Sequence, residues 1–380
     1  MKKFPFGLLT VFLVLAMTAA AWAVEAKPEG RIFAGFSYNV SGYPDWDSRY
    51  GDNDYNEFEI GRAYLGFKVN FNDYWSGRIT GDVTRTKNYK LGEDEEGNTT
   101  LESSEGLYGY YLKYAYGDFT PYKYFNVRFG LLQTAYIELY DNAFGYRYVV
   151  KSPADLWKFD TSADNGLAAY GAFGPYAAYY VVLRNGEGYK SPEENKGKGI
   201  QASLKLTPFQ MVGALKDLQL VGAAMMNNDN PSDPDEDVTV INVLLAYKYM
   251  FNENWGINIG GGYDMRQWSS DDEALKDADA DQITSTVVHG YGVLYMPYNF
   301  GLFARYDMYD PDTENDEDTH GYQDEQSMLL AGVSYDPLKN LAFSLNYKTI
   351  MYTAEVTDDE GEEVTKSSDS FVGVNAMVKF

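Results

Sequence analysis

The chain has 380 residues, no cysteine and two histidines, and its 31 basic side chains face 56 acidic ones for a formal net charge of -25. No disulfide, thiol nucleophile or thiolate zinc site can form, and an acidic chain with no basic stripe is a poor partner for nucleic acid. A mean hydropathy of -0.41 reads as soluble, but it also suits strands that are half polar, and 36 Gly with 35 Tyr fit curved sheets better than helices.

In chain order, Lys2 and Lys3 precede the apolar run Phe6 to Ala21 and then Ala21-Trp22-Ala23. This is the layout of a secretory signal peptide over 1–23, cleaved after Ala23 or, as second choice, Ala26. The run is short for a spanning helix of about 20 residues, and no later stretch approaches one. The remainder, 24–380, shows no linker, composition break or helical stretch.

The stretch 58–86 sets the pattern. Ala63, Leu65, Phe67, Val69 and Phe71 alternate with Arg62, Tyr64, Gly66, Lys68 and Asn70. Beyond Asn72-Asp73-Tyr74, the residues Trp75, Gly77, Ile79, Gly81 and Val83 alternate with Ser76, Arg78, Thr80, Asp82 and Thr84. Period two means strands, here a hairpin with one apolar and one charged face. The same unit recurs without any second layer to cover the apolar faces. The spacing predicts sixteen strands, near 31–41, 58–71, 74–86, 106–118, 124–135, 164–173, 176–184, 198–207, 216–227, 237–250, 254–267, 282–297, 300–309, 326–335, 339–353 and 368–380.

Short connections alternate strictly with long polar ones at 42–57, 87–105, 136–163, 185–197, 228–236, 268–281, 310–325 and 354–367. Acidic residues crowd into the long set, as in 93–96, 271–273 and 358–360. Aromatics gather at the short-turn end: Phe71, Tyr74 and Trp75; Tyr122, Tyr124 and Phe125; Tyr249, Phe251 and Trp255; Tyr298 and Phe300. An interfacial girdle explains that recurrence. The last strand carries Val372, Val374, Ala376, Val378 and Phe380 on one face. The expected fold is all-β: a transmembrane antiparallel β-barrel of about sixteen strands, with short periplasmic turns and long external loops.

Arg62-Ala63-Tyr64-Leu65-Gly66-Phe67-Lys68, Tyr111-Leu112-Lys113-Tyr114-Ala115-Tyr116, Val127-Arg128-Phe129-Gly130 and Gln133 resemble the first third of the phosphate-selective (O/P-type) porin family. Asp164-Asn165-Gly166-Leu167 and Arg184-Asn185-Gly186-Glu187-Gly188 are similar to its next two strands. The motif likeness covers about 58–190. It implies a sixteen-stranded trimeric bacterial outer-membrane porin whose third external loop folds into the lumen. Here that loop is 136–163, the longest connection and a candidate constriction.

On the polar parity lie Arg62, Lys68, Arg78, Lys113, Arg128, Arg184, Lys205, Lys248, Arg266, Arg305 and Lys348, opposed chiefly by Asp82, Asp264 and Asp307. Such charges are costly in lipid, so they are expected to line a water-filled, electropositive pore favouring anions. The alternative is pairing inside a plugged barrel. Loop 136–163 sets Arg147, Lys151 and Lys158 against Glu138, Asp141, Asp155 and Asp160. That is no basic cluster, so a general diffusion pore with an anion bias is expected rather than phosphate selection.

A barrel enzyme would need His289 with Ser285, but their parity (Ile283, Ser285, Val287, His289, Tyr291, Val293) reads as lipid-facing. Asp277-Ala278-Asp279-Ala280-Asp281 lacks the glycine and closing glutamate of a calcium loop. The sequence therefore predicts an outer-membrane porin for small hydrophilic solutes or inorganic anions. It would use no catalytic residue, cofactor or metal, would be embedded in lipid and lipopolysaccharide, and would form a homotrimer. A non-conducting structural or adhesion barrel and a barrel lipase or protease are the other readings.

Overall fold

The computed structural model describes residues 25–40, 56–93, 99–193, 196–227, 237–268, 283–313, 325–352, 355–357, 363–365 and 368–380. The expected leader 1–23, His320, the 277–281 run and most of the acidic loop runs fall outside them. The wall is built from β1 (Glu25–Asn39), β2 (Asn56–Asn70), β3 (Trp75–Glu93), β4 (Thr99–Tyr122), β5 (Phe125–Gln133), β6 (Ala163–Phe173), β7 (Ala177–Arg184) and β8 (Gly199–Leu206). It continues through β9 (Leu218–Asn227), β10 (Val238–Met250), β11 (Gly256–Trp268), β12 (Ile283–Met296), β13 (Phe300–Asp310), β14 (Gln326–Leu338) and β15 (Leu341–Tyr352). The final wall strand is β18 (Ser368–Lys379); β16 (Glu355–Thr357) and β17 (Glu363–Thr365) form a separate small hairpin. Neighbours in sequence pair antiparallel throughout, and β18 pairs β1 from Arg31↔Lys379 to Asn39↔Phe371, closing a sixteen-stranded barrel.

Every expected strand is present. Three elements differ from the expectation. The 87–105 loop is largely ladder, running from Lys87↔Glu105 to Glu93↔Thr99 past a bulge at Arg85/Lys87. Polar residues dominate there, so apolar alternation gave no sign of it. The chain enters β1 at Glu25 rather than near 31. Loop 136–163 contains two short helices, α1 (Ile137–Phe144) and α2 (Pro153–Leu156).

Turn chemistry explains the short ends. Asn72 Oδ1 accepts from the N–H groups of Tyr74 and Trp75, both at 2.9 Å, and Asn252 Oδ1 does the same for Asn254 and Trp255 at 2.8 and 2.9 Å. An Asx side chain thus replaces the missing backbone partner in two equivalent hairpins. Gly130 is required for a different reason. Its φ is +118°, and a Cβ there would stand 2.3 Å from the Ala115 carbonyl oxygen.

Alternation sorts the faces. Along β13, exposed and buried residues alternate from Phe300 to Met308. Leu65, Phe67, Ile79, Leu167, Leu245, Leu302 and Leu345 form part of an exposed apolar exterior, with Phe71, Trp75, Tyr124, Phe251 and Tyr298 at the short-turn rim. Among the described residues no helix is long and apolar enough to cross a membrane. The largest apolar cluster lies inside the barrel, where Tyr136, Ile137, Tyr140, Phe144 and Tyr146 meet Val287, Tyr291, Phe303, Met328 and Leu330.

That cluster overturns the face assigned to His289. Val287, His289, Tyr291 and Val293 are buried, whereas Val288 is 52% exposed. The parity reads as apolar because α1 packs on it, not because it faces lipid.

Leu245, opposite Leu220 and Gly261 in the middle of β10, tests the outer face. Leu245→Arg is expected to destabilise the barrel by about 2–4 kcal/mol in lipid vesicles, read from urea-unfolding midpoints. An unchanged midpoint would contradict an outward apolar face.

Candidate functional site

The site is the lumen and the segment folded into it. In α1, Ile137, Tyr140 and Phe144 recur at helical spacing and share the buried face. The helix stops at Gly145, whose φ of +88° and N–H bond to the Asp141 carbonyl (2.9 Å) form a left-handed cap. Pro153 starts α2, where a missing N–H matters least.

Rings and hydrogen bonds hold this loop to one side of the wall. Tyr140 meets His289 edge-on at 5.2 Å, Phe144 meets Tyr291 at 4.9 Å, and Tyr146 stacks on Phe303 at 4.3 Å. Trp157 stacks on Tyr309 at 4.5 Å and donates Nε1–H to Asp307 at 3.2 Å. Asn258 donates to the Ala143 carbonyl (2.7 Å), Arg305 to that of Lys151 (2.5 Å) and Arg266 to that of Lys158 (3.3 Å). The Tyr146 and Ser334 hydroxyls are 2.9 Å apart. Each ring pair adds about 0.5–1.5 kcal/mol beyond burial, so these pairs together favour the docked position of the loop.

The basic residues of the polar parity are mostly ion-paired. Arg62 meets Asp82 at 2.5 Å; Arg128 grips Asp118 with two bonds of 2.8 Å between the rings of Tyr116 and Tyr170; Arg184 meets Asp160 of the loop at 2.8 Å. Arg305 and Asp307 form a two-pronged pair with both side chains fully buried. Glu29 takes both Arg78 and Lys68, the latter at 3.0 Å. Within the loop, Arg147 bridges Asp141 (3.3 Å) and Asp155 (3.2 Å), and Lys151 joins Asp155 at 3.1 Å. Lys158 adopts φ +61° and offers only its carbonyl to Arg266. Lys113 donates to Ser162 and has no carboxylate partner among the described residues.

Sequence reasoning missed Glu29 and Asp118 as counter-charges, and it set Asp160 against the basic residues of its own loop rather than against Arg184. The register signal for Asp118 was available, because it stands directly across from Arg128. Glu29 lies before the expected start of β1, and Asp160 meets Arg184 only through the loop fold.

A cavity of about 360 Å³ lies between β1–β4, the lumen loop with α1, β18 and the β14–β15 turn. Six basic side chains border it (Arg31, Arg78, Lys113, Arg147, Lys339, Lys379), against three carboxylates (Glu29, Glu138, Asp141). Arg184, Arg305 and Asp307 instead belong to the contact between loop and wall. Loss of water pushes the Asp141 carboxyl up to about 7, and Arg147 only partly offsets it. Burial also opposes ionisation of Asp155, but Lys151 and Arg147 outweigh it and hold that carboxyl below the usual range.

His289 Nε2 lies 3.5 Å from Asp264 without a hydrogen bond, and the other carboxylate oxygen of Asp264 accepts from Asn242 at 2.9 Å. Ser285 donates to the Pro311 carbonyl at 2.6 Å. Four residues along a strand separate Ser285 from His289 by about 13 Å, well beyond the reach of a nucleophile–base pair.

No protein-family model matches the sequence, and no curated protein matches it. Solved structures do. The chain is similar to OprB of Pseudomonas putida, with TM-score 0.63 and 10% identity over 96% of this chain and 96% of that one. It is similar to an anion-selective porin from Comamonas acidovorans, with TM-score 0.59 and 10% identity over 94% of this chain and 100% of that one. OmpT of Vibrio cholerae, in its trimer form, gives TM-score 0.55 and 13% identity over 94% and 100%. The chain therefore has the fold of bacterial outer-membrane porins. Its likeness to the phosphate-selective family rests on the short motifs alone.

Arg305→Ala leaves Asp307 buried without its partner and is expected to cost about 3–5 kcal/mol, measured by denaturant unfolding. Arg305→Ala combined with Asp307→Ala should recover a large part of that loss. Asp141 gives a pH test. Its carboxyl is raised from 3.8 to about 7 by loop packing, so its contribution to the packed loop is full below pH 3.8 and lost as pH rises through 7. Asp141→Asn should flatten that pH dependence, read as protease cleavage within the loop; an unchanged profile would assign it elsewhere.

Proposed function

We propose that the chain is a porin of the bacterial outer membrane through which small hydrophilic solutes diffuse passively. It is exported by a leader removed after Ala23, and loop 136–163 sets the bore. One observation carries this reading: a closed barrel with an apolar exterior keeps a charged, incompletely filled interior. No reaction is involved, and no cofactor, metal or nucleic acid enters the mechanism. The six-to-three excess of basic side chains around the cavity favours anions, in keeping with the anion-selective porin among its structural neighbours. Arg62, Lys68, Arg78, Asp82 and Lys113 sit on the open half of the wall, with Arg147 facing them. Arg128, Arg184, Arg266, Arg305 and Asp307 act by fixing the frame and the loop. Phosphate selection is not part of this proposal, because the lumen loop carries no basic cluster. Assembly is proposed to be a homotrimer in lipid and lipopolysaccharide, as the OmpT trimer form suggests by analogy.

A non-conducting structural barrel is the second reading, favoured by the ion pairs and by the loop filling one half of the lumen. Single-channel recording of the refolded protein in a planar bilayer under a KCl gradient separates the two. Discrete steps with an anion-directed reversal potential are expected. Cation-directed steps would overturn the anion bias, and no steps from a folded barrel would overturn the porin.

A further inference from the structure

Loop 185–198 joins β7 to β8, yet it places Tyr189 on the inner wall of β2–β4, several strands away. The Tyr189 hydroxyl donates to Asp82 at 3.1 Å and accepts from Arg62 at 3.3 Å. Burial holds that hydroxyl well above its ordinary pKa, so it remains a donor. Its ring carries the Lys113 ammonium 4.1 Å from the centroid; Lys190 lies 5.7 Å from the same ring and 5.1 Å from that of Tyr111.

The base of the loop is fixed as well. The Gly186 N–H donates to Asp164 at 2.8 Å. Gly188 has φ +81°, and a Cβ there would come within 2.9 Å of Thr161, at the end of the lumen loop. A second segment therefore reaches the inner face of β2–β4 and leans on the first.

We propose that Tyr189 is a selectivity-determining residue for small anions. It forms a second narrowing ahead of the cavity and presents the Lys113 and Lys190 ammoniums on aromatic faces. The inference rests on the porin reading. The chemistry follows from what these two cations lack: among the described residues neither has a carboxylate within ion-pair distance, whereas Arg62, Arg78, Arg128, Arg184 and Arg305 each do. A ring face attracts a cation without cancelling its charge, so the exposed Lys190 ammonium keeps its field for a passing anion, whereas Lys113 is buried against Tyr189 and Ser162.

The test is single-channel recording of full-length wild type, Tyr189→Ala and Lys190→Gln in a KCl gradient, each first shown to be folded by heat-modifiable gel mobility. Tyr189→Ala is expected to raise conductance about twofold and weaken the anion-directed reversal potential, because bore and charge placement change together. Lys190→Gln, a change on an exposed side chain, should shift the reversal potential toward cations with little change in conductance. Wild-type steps with Tyr189→Ala and Lys190→Gln indistinguishable from them would overturn this inference alone. Absence of steps from wild type would overturn the porin reading, and this inference with it.

Discussion

The structure depends on one constraint: a backbone exposed to hydrocarbon must satisfy every N–H and C=O within itself. A sheet meets this only by closing, and the seam between β1 and β18 does so, extended by reciprocal bonds between Gly30 and Phe380 of 2.8 and 3.0 Å. Closure fixes the alternation, because each residue must then face either outward or inward. It also sends every charge on the wall to one shared interior. The arrangement of charge in the lumen is thus a consequence of hydrogen bonding in the wall.

Inside, attraction between charges competes with loss of water. A buried unpaired ion is expensive, and the guanidiniums of Arg62, Arg78, Arg128, Arg184 and Arg305 have carboxylates at bonding distance. Arg128–Asp118 and Arg305–Asp307 show the strongest form, planar and two-pronged. Pairing reduces the net field, so a list of basic residues overstates how electropositive the lumen is. Lys113 is held differently, by the ring of Tyr189 and the hydroxyl of Ser162.

The wall was legible in the sequence because period two is local and repeated. Leu65, Phe67 and Ile79 declared their face from their neighbours alone. The interior was less so, because its partners lie far apart in the chain. Tyr291 and Val293 looked lipid-facing because the surface they bury against, Tyr140 and Phe144, comes from another part of the sequence. Asp160 meets Arg184 only once the loop has folded in. Asp118 against Arg128 was readable, since hairpin register alone brings them together. The helix in 137–144 escaped notice because its eight residues make little more than two turns, too short a period to stand out among strand patterns.

The lumen loop is fastened to β11–β14, so the opening is off-centre and runs beside β1–β4. The cavity's basic border is nevertheless drawn from both ends of the chain, with Arg31, Arg78 and Lys113 from the first four strands and Lys339 and Lys379 from the last three strands and their turn. Residues more than two hundred positions apart thus share one field.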